Sequence, residues 1–110
     1  MTLLNAELHI NASILKENIC YLKNRIDKQS NFLAVVKADA YGHSLKKFVE
    51  KLDDCVDGYA LVRLDEALQV RDLSKKPILL MQGIYDDDEA LIAKRNGFMC
   101  VLHTQEQIRT

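Results

Sequence analysis

The residue of this chain best placed for chemistry is a lysine set directly after an unbroken apolar run. The run and its sequel read Ala34-Val35-Val36-Lys37-Ala38-Asp39-Ala40-Tyr41-Gly42-His43. A near-continuous apolar stretch of this kind is the pattern of a strand buried on both faces of a parallel sheet. In α/β folds the carboxyl ends of such strands form the face that carries the active site. An amine held at an apolar strand end is desolvated. Desolvation disfavours the ammonium, lowers the lysine pKa and makes Lys37 a better nucleophile toward a carbonyl, as Schiff-base formation requires. Tyr41 is placed to reach the same mouth of the sheet, and Gly42 allows a tight turn there. The spacing alone leaves a second reading open. A lysine after a strand is commonly solvated, its stem lying on apolar surface. Tyr41 is then a packed ring with a wet hydroxyl, and His43 a polar residue near a helix start.

The elements that would present Lys37 follow from changes in the apolar period. Ala6, Leu8 and Ile10 alternate with polar neighbours and predict a short strand. Ile14, Leu15, Ile19, Leu22 and Ile26 recur at helical spacing, with Asn11 or Ser13 as the cap. A strand is expected over 32–36. Beyond the lysine segment, Ser44 is expected to cap a helix that carries Leu45, Phe48, Val49 and Leu52 on one face. The next strand spans 58–62, and Leu64, Ala67, Leu68 and Leu73 mark the next helix. Pro77 stops helical continuation, and 78–81 makes a further buried strand. The acidic run Asp86-Asp87-Asp88-Glu89 opens a helix at the end where its dipole favours negative charge. Adjacent carboxylates of this kind do not converge on one ion. Gly97 stands where a C-terminal cap belongs, and a last strand is expected over 98–102. Thr104 with Gln107 spells a capping box, so another helix begins near the end of the chain. Met81 and Met99 are expected in the core.

Alternating strands and helices with short loops imply a parallel sheet with right-handed crossover connections. Such a sheet is either an open α/β sandwich or the front half of a barrel. At 110 residues, the chain suits one domain and falls well short of the roughly 200 residues of a (β/α)₈ barrel. Fifteen Lys and Arg against sixteen Asp and Glu leave a formal charge of -1, which gives no footprint for nucleic acid or an acidic membrane. No apolar run approaches the roughly 18 residues of a membrane span, and the segment 1–12 does not read as a signal peptide. Cys20, Cys55 and Cys100 are odd in number and far apart, which predicts free buried thiols of a reducing cytoplasm rather than disulfides or a zinc site. His9, His43 and His103 are equally scattered. Nucleotide phosphate loops, H-E-x-x-H and G-x-S-x-G are absent from the sequence.

The lysine segment resembles the pyridoxal-phosphate signature of bacterial alanine racemases, and the resemblance runs along the chain in the family's order. Glu7-Leu8-His9-Ile10-Asn11 is similar to the family's opening segment. Gly58-Tyr59-Ala60-Leu61-Val62-Arg63-Leu64-Asp65-Glu66-Ala67 is similar to its second barrel strand and helix, and Pro77-Ile78-Leu79-Leu80-Met81-Gln82-Gly83 to its third strand. The resemblance implies an α/β fold, the N-terminal half of a (β/α)₈ TIM-type barrel. Residues 1–110 would supply about four βα units of it, without the family's C-terminal β-domain. It implies a homodimeric enzyme that interconverts L-alanine and D-alanine for peptidoglycan, with pyridoxal 5'-phosphate as cofactor. By match to the motif, Lys37 would be both the cofactor-bearing lysine and the catalytic acid or base on one face of the substrate α-carbon. Tyr41 would contact the cofactor phosphate.

Ser44 stands where the motif usually has glycine. The family's second acid-base is a tyrosine of the partner's C-terminal domain. That tyrosine, the arginine facing the pyridine nitrogen, the histidine on the ring, the arginine for the substrate carboxylate and most of the phosphate grip lie beyond residue 110. The chain therefore reads as an N-terminal portion that is inactive by itself. With unpaired parallel strands at its edges, it is expected to self-associate or to be marginally folded. The alternatives are a barrel protein that holds the cofactor on Lys37 without racemising, and a half-barrel that acts only by association with a complementary chain.

Overall fold

The computed structural model describes residues 9–42 and 44–110. Helix α1 (Ala12–Lys23) precedes strand β1 (Leu33–Val35). A short segment, α2 (Lys37–Tyr41), then helix α3 (Leu45–Leu52) and a 3₁₀ turn (Asp53–Cys55) lead to β2 (Gly58–Leu61). Helix α4 (Leu64–Leu73) leads to β3 (Ile78–Leu80), α5 (Asp87–Asn96) to β4 (Met99–Cys100), and α6 (Gln105–Arg109) follows. The four strands are parallel and lie side by side in chain order. Most of the expected opening strand lies outside the described residues, as does His43; His9 and Ile10 are described and are not in a strand.

Side chains alternate across the sheet. Ala34, Val36, Tyr59, Leu61, Ile78 and Leu80 are buried and join Leu45, Val49 and Leu52 of α3, Ala67 and Val70 of α4 and Ala93 of α5 in the core. The register lines up Val35, Ala60, Leu79 and Met99 as one row across the other face. There Val35 is 42% exposed and Met99 43%. The expectation that 32–36 is buried on both faces, and that Met99 is core, is therefore corrected. Ala60, between Val35 and Met99 in this row, is buried, so the row stands open at its two ends; among the described residues, the helices named above pack on the opposite face. In a partial barrel this row lies on the inner side.

Local rules account for the element ends. Asn11 caps α1, its side chain accepting from the Ile14 N–H at 3.2 Å. Asp86 caps α5 by accepting from the Glu89 N–H at 2.8 Å. The Glu89 side chain returns to the Tyr85 N–H at 2.7 Å. Gly97 closes α5 in the left-handed conformation, and the Phe98 N–H reaches back to the Ala93 carbonyl at 2.9 Å, a Schellman pattern. Phe98 is thereby held by the helix, which is one reason β4 is shorter than the expected 98–102. The Thr104/Gln107 capping box opens α6 as expected. Ser44 is a correction. It precedes α3 with φ 68° and makes no side-chain cap; the Leu45 N–H donates instead to Asp39 Oδ1 at 2.8 Å.

At the amino end of the sheet, Asp53 gathers a polar cluster. Its Oδ1 accepts from the Tyr59 hydroxyl at 2.7 Å and from Ser74 Oγ at 2.6 Å. Lys76 Nζ donates to the carbonyls of Asp53 and Val56. Burial, with the bond to Asp53 next in weight, pushes the Tyr59 hydroxyl well above the ordinary phenol range. The three cysteines are free, but Cys20 is exposed and the other two are only partly buried, so the expected burial holds in part. Among the described residues, no helix is long and apolar enough to cross a membrane.

Candidate active site

Parallel strands in chain order bring four loops to one edge of the sheet. Lys37 follows β1 there, Arg63 follows β2, Gln82 follows β3 and His103 follows β4. A cleft of about 640 Å³ lies at this edge, lined by Lys37 and Asp39 from the first loop, Arg63, Asp65 and Glu66 from the second, and Gln82 from the third. A second hollow of about 340 Å³ shares Arg63, Asp65 and Gln82 and continues to Tyr85 and Glu89.

Lys37 is half-buried. Its surroundings differ from the apolar strand end expected from sequence. Val36 behind it is buried, but the cleft in front is lined with charged and amide groups. The reason is that polar residues, Arg63 and Gln82, stand two positions past the ends of β2 and β3. Two of the charged groups are already paired. Arg63 Nε and Nη2 form a fork on the Asp65 carboxylate at 2.9 and 2.8 Å. That pairing raises the guanidinium further above its ordinary value and lowers the carboxyl of Asp65.

The backbone after Lys37 turns left-handed. Ala38, Asp39, Ala40 and Tyr41 have φ between 52° and 56°, and Gly42 closes the turn at φ 89°. Each non-glycine residue in this region costs roughly 1–2 kcal/mol, so the turn has to be held. Within it the Ala40 N–H donates to the Val36 carbonyl at 2.9 Å, and the Gly42 N–H to the carbonyls of Ala38 and Asp39 at 3.3 and 3.2 Å. From outside, Glu66 Oε2 accepts the Asp39 N–H at 2.8 Å. Tyr41 is carried to the far end of the turn, where it is 59% exposed. It does not line the cleft that Lys37 lines. The two expected site residues therefore share an edge but not a cavity.

Glu66 was not visible as a site residue from sequence. Its only signal is an acid in the first turn of the helix after β2, where dipole electrostatics already account for one. The other loops at this edge are tied together by Gln107. Its Nε2 donates to the carbonyls of Gln82 at 3.2 Å and Ile84 at 3.0 Å. Gly83 beneath it has φ 78°, and a β-carbon there would collide with the Val101 carbonyl and come within 2.8 Å of Gln107 Nε2. His103 Nε2 lies 3.0 Å from the Met81 carbonyl, bracing the ends of β3 and β4.

The family described as "Alanine racemase, N-terminal domain" matches residues 10–110. The chain belongs to the alanine racemase N-terminal domain family. Among curated alanine racemases, that of Mannheimia succiniciproducens is 38% identical over 104 residues, 94% of this chain and 29% of the relative. That of Haemophilus ducreyi is 39% identical over 100 residues, 90% of this chain and 26% of the relative. The chain thus spans less than a third of the length of these relatives. Among solved structures, alanine racemase from Acinetobacter baumannii superposes with a TM-score of 0.81 at 31% identity, over 89% of this chain and 27% of that one. A histidine racemase from Leuconostoc mesenteroides subsp. sake superposes with a TM-score of 0.77 at 27% identity, over 89% of this chain and 26% of that one. The four parallel strands and their helices match the N-terminal TIM-barrel domain of alanine racemase structures.

Proposed function

We propose that this chain contributes the lysine side of an amino-acid racemase site. Lys37 holds pyridoxal 5'-phosphate through its amine and serves one face of the substrate α-carbon. The observation that carries this reading is the place of Lys37: two residues past the end of β1, behind the buried Val36, half-buried, in a cleft of about 640 Å³ at the carboxyl edge of a parallel sheet. That volume is in the range of ligand sites, roughly 300–1,000 Å³. The substrate named for the curated relatives is alanine. Interconversion of its L and D forms, in the cytoplasm and for peptidoglycan, is the activity we assign to the protein of which these residues form the front of the barrel domain.

The residues present fit the cofactor unevenly, which divides the labour. Bound there, pyridoxal phosphate supplies an electron sink that makes the α-proton of an attached amino acid removable. Lys37 Nζ accepts and returns that proton. Three acidic residues, Asp39, Asp65 and Glu66, line this cleft with Lys37 and an Arg63 already committed to Asp65. Such a cleft suits a cationic nitrogen and repels a dianion. The phosphate therefore belongs outside it, where the exposed Tyr41 hydroxyl can donate. Racemisation also needs an acid-base on the opposite face, which the family resemblance assigns to a partner's tyrosine. Residues 1–110 alone are accordingly assigned cofactor capture without racemisation. A half-barrel that works by self-association or with a complementary chain is the companion reading, favoured by the exposed Val35 and Met99 on the face opposite the core helices.

Titration with pyridoxal 5'-phosphate, followed by absorbance, tests the reading. Saturable uptake that Lys37→Ala abolishes is expected. Equal, unsaturating uptake by both proteins contradicts it.

A further inference from the structure

We infer that Glu66 is the positioning residue for Lys37, a clamp that selects the left-handed turn carrying the lysine. The inference rests on the reading of Lys37 as the cofactor-bearing amine. The turn contains four consecutive residues, Ala38 to Tyr41, whose side chains oppose positive φ. Its internal hydrogen bonds, from the Ala40 N–H to Val36 and from the Gly42 N–H to Ala38, span four residues each. A right-handed turn would supply bonds of the same span at no steric cost. The internal bonds therefore do not choose the hand. The choice falls to contacts from outside the turn.

Among the hydrogen bonds described between the turn and the rest of the fold, that of Glu66 reaches far along the chain. Its Oε2 accepts the Asp39 N–H at 2.8 Å across a separation of 27 residues. A carboxylate accepting a backbone N–H is a charge-assisted bond, stronger than an ordinary one. Asp39 passes the constraint on, since its Oδ1 accepts the Leu45 N–H at 2.8 Å and so joins the turn to α3. Glu66 itself stands on rigid ground, in the first turn of α4 directly after β2, and the register of β2 on β1 fixes its height relative to Lys37.

A second observation separates this carboxylate from a merely stabilising one. Glu66 Oε1 is buried and has no hydrogen-bond partner among the described residues. A carboxylate oxygen without a partner away from water opposes stability. Glu66 is thus held at a cost, in the wall of the cleft that Lys37 also lines.

The test compares the 110-residue chain with Glu66→Ala and Glu66→Gln. Two quantities are read: the rate at which borohydride traps pyridoxal 5'-phosphate on Lys37, mapped by mass spectrometry, and hydrogen exchange of the Asp39 amide. Labelling of surface lysines and far-ultraviolet circular dichroism report whether each variant is folded. The clamp predicts that Glu66→Ala slows Lys37 labelling and speeds Asp39 exchange by about tenfold to a hundredfold, the worth of one hydrogen bond to a charged group. Glu66→Gln, whose amide oxygen still accepts the Asp39 N–H, restores most of both. Unchanged rates in folded Glu66→Ala overturn the inference, as does a folded Glu66→Gln as deficient as Glu66→Ala. If the parent chain shows no preference for Lys37, the racemase reading fails, and Asp39 exchange in the variants still decides the clamp.

Discussion

Asp39 carries two loads at once. Its N–H is held by Glu66, and its side chain caps α3 through the Leu45 N–H. The side-chain load can be removed alone. Asp39→Ala is expected to lower unfolding free energy by about 1 kcal/mol, the usual worth of a cap, and Asp39→Asn to retain most of it. Urea denaturation at neutral pH measures both. Equal losses in the two variants would show that the charge, not the hydrogen bond, matters. The cap also illustrates what sequence could and could not foretell. Ser44 is the better cap by residue type, yet its φ of 68° takes its side chain out of play. An acid five residues upstream of it does the work because the chain doubles back through a left-handed turn. Nothing in Ala38, Asp39, Ala40 or Tyr41 favours that hand; the bond that we infer selects it comes from 27 residues away.

At the scale of elements, the readable features are those set by neighbours in the chain. The helix starts at Asn11, Asp86 and Thr104, the stop at Gly97 and the order of strands all follow from local patterns. The length of β4 does not, since the Phe98 N–H can serve either the sheet or the end of α5 and serves α5. The position of Lys37 at a strand end was legible, but the charge of its cleft was not, because Asp65, Glu66 and Gln82 arrive from other loops. The Asp53 cluster is a similar long-range product, joining β2, the 3₁₀ turn and the segment before β3. It makes an alkaline prediction. Burial and Asp53 hold the Tyr59 hydroxyl neutral in the fold, whereas in the unfolded chain it ionises near pH 10. A raised folded pKa means that this stabilisation is complete below about pH 10 and is lost as pH rises beyond it. Tyr59→Phe should cost about 1 kcal/mol at pH 8 and should flatten the decline above pH 10, as read from denaturation midpoints. A decline of unchanged steepness would mean that Tyr59 ionises as readily folded as unfolded.

At the scale of the whole molecule, the described helices pack on one face of the sheet. Val35 and Met99 stand exposed in the row that also holds Leu79. Parallel sheets are normally covered on both sides, and exposed apolar faces and open strand edges drive association. The 110-residue chain should therefore show an apparent mass that rises with concentration in sedimentation experiments. Val35→Lys with Met99→Lys should reduce that rise without loss of helix content. A monomer at all concentrations with a sharp unfolding transition would contradict the expectation.

The central claim is that the carboxyl edge of this partial barrel already forms a site around Lys37. It is tested most directly by incubating the chain with pyridoxal 5'-phosphate, reducing with borohydride and mapping the modified lysines by mass spectrometry against Lys37→Ala. The account predicts label concentrated on Lys37 and lost in the variant. Label spread over surface lysines, unchanged in the variant, would contradict it.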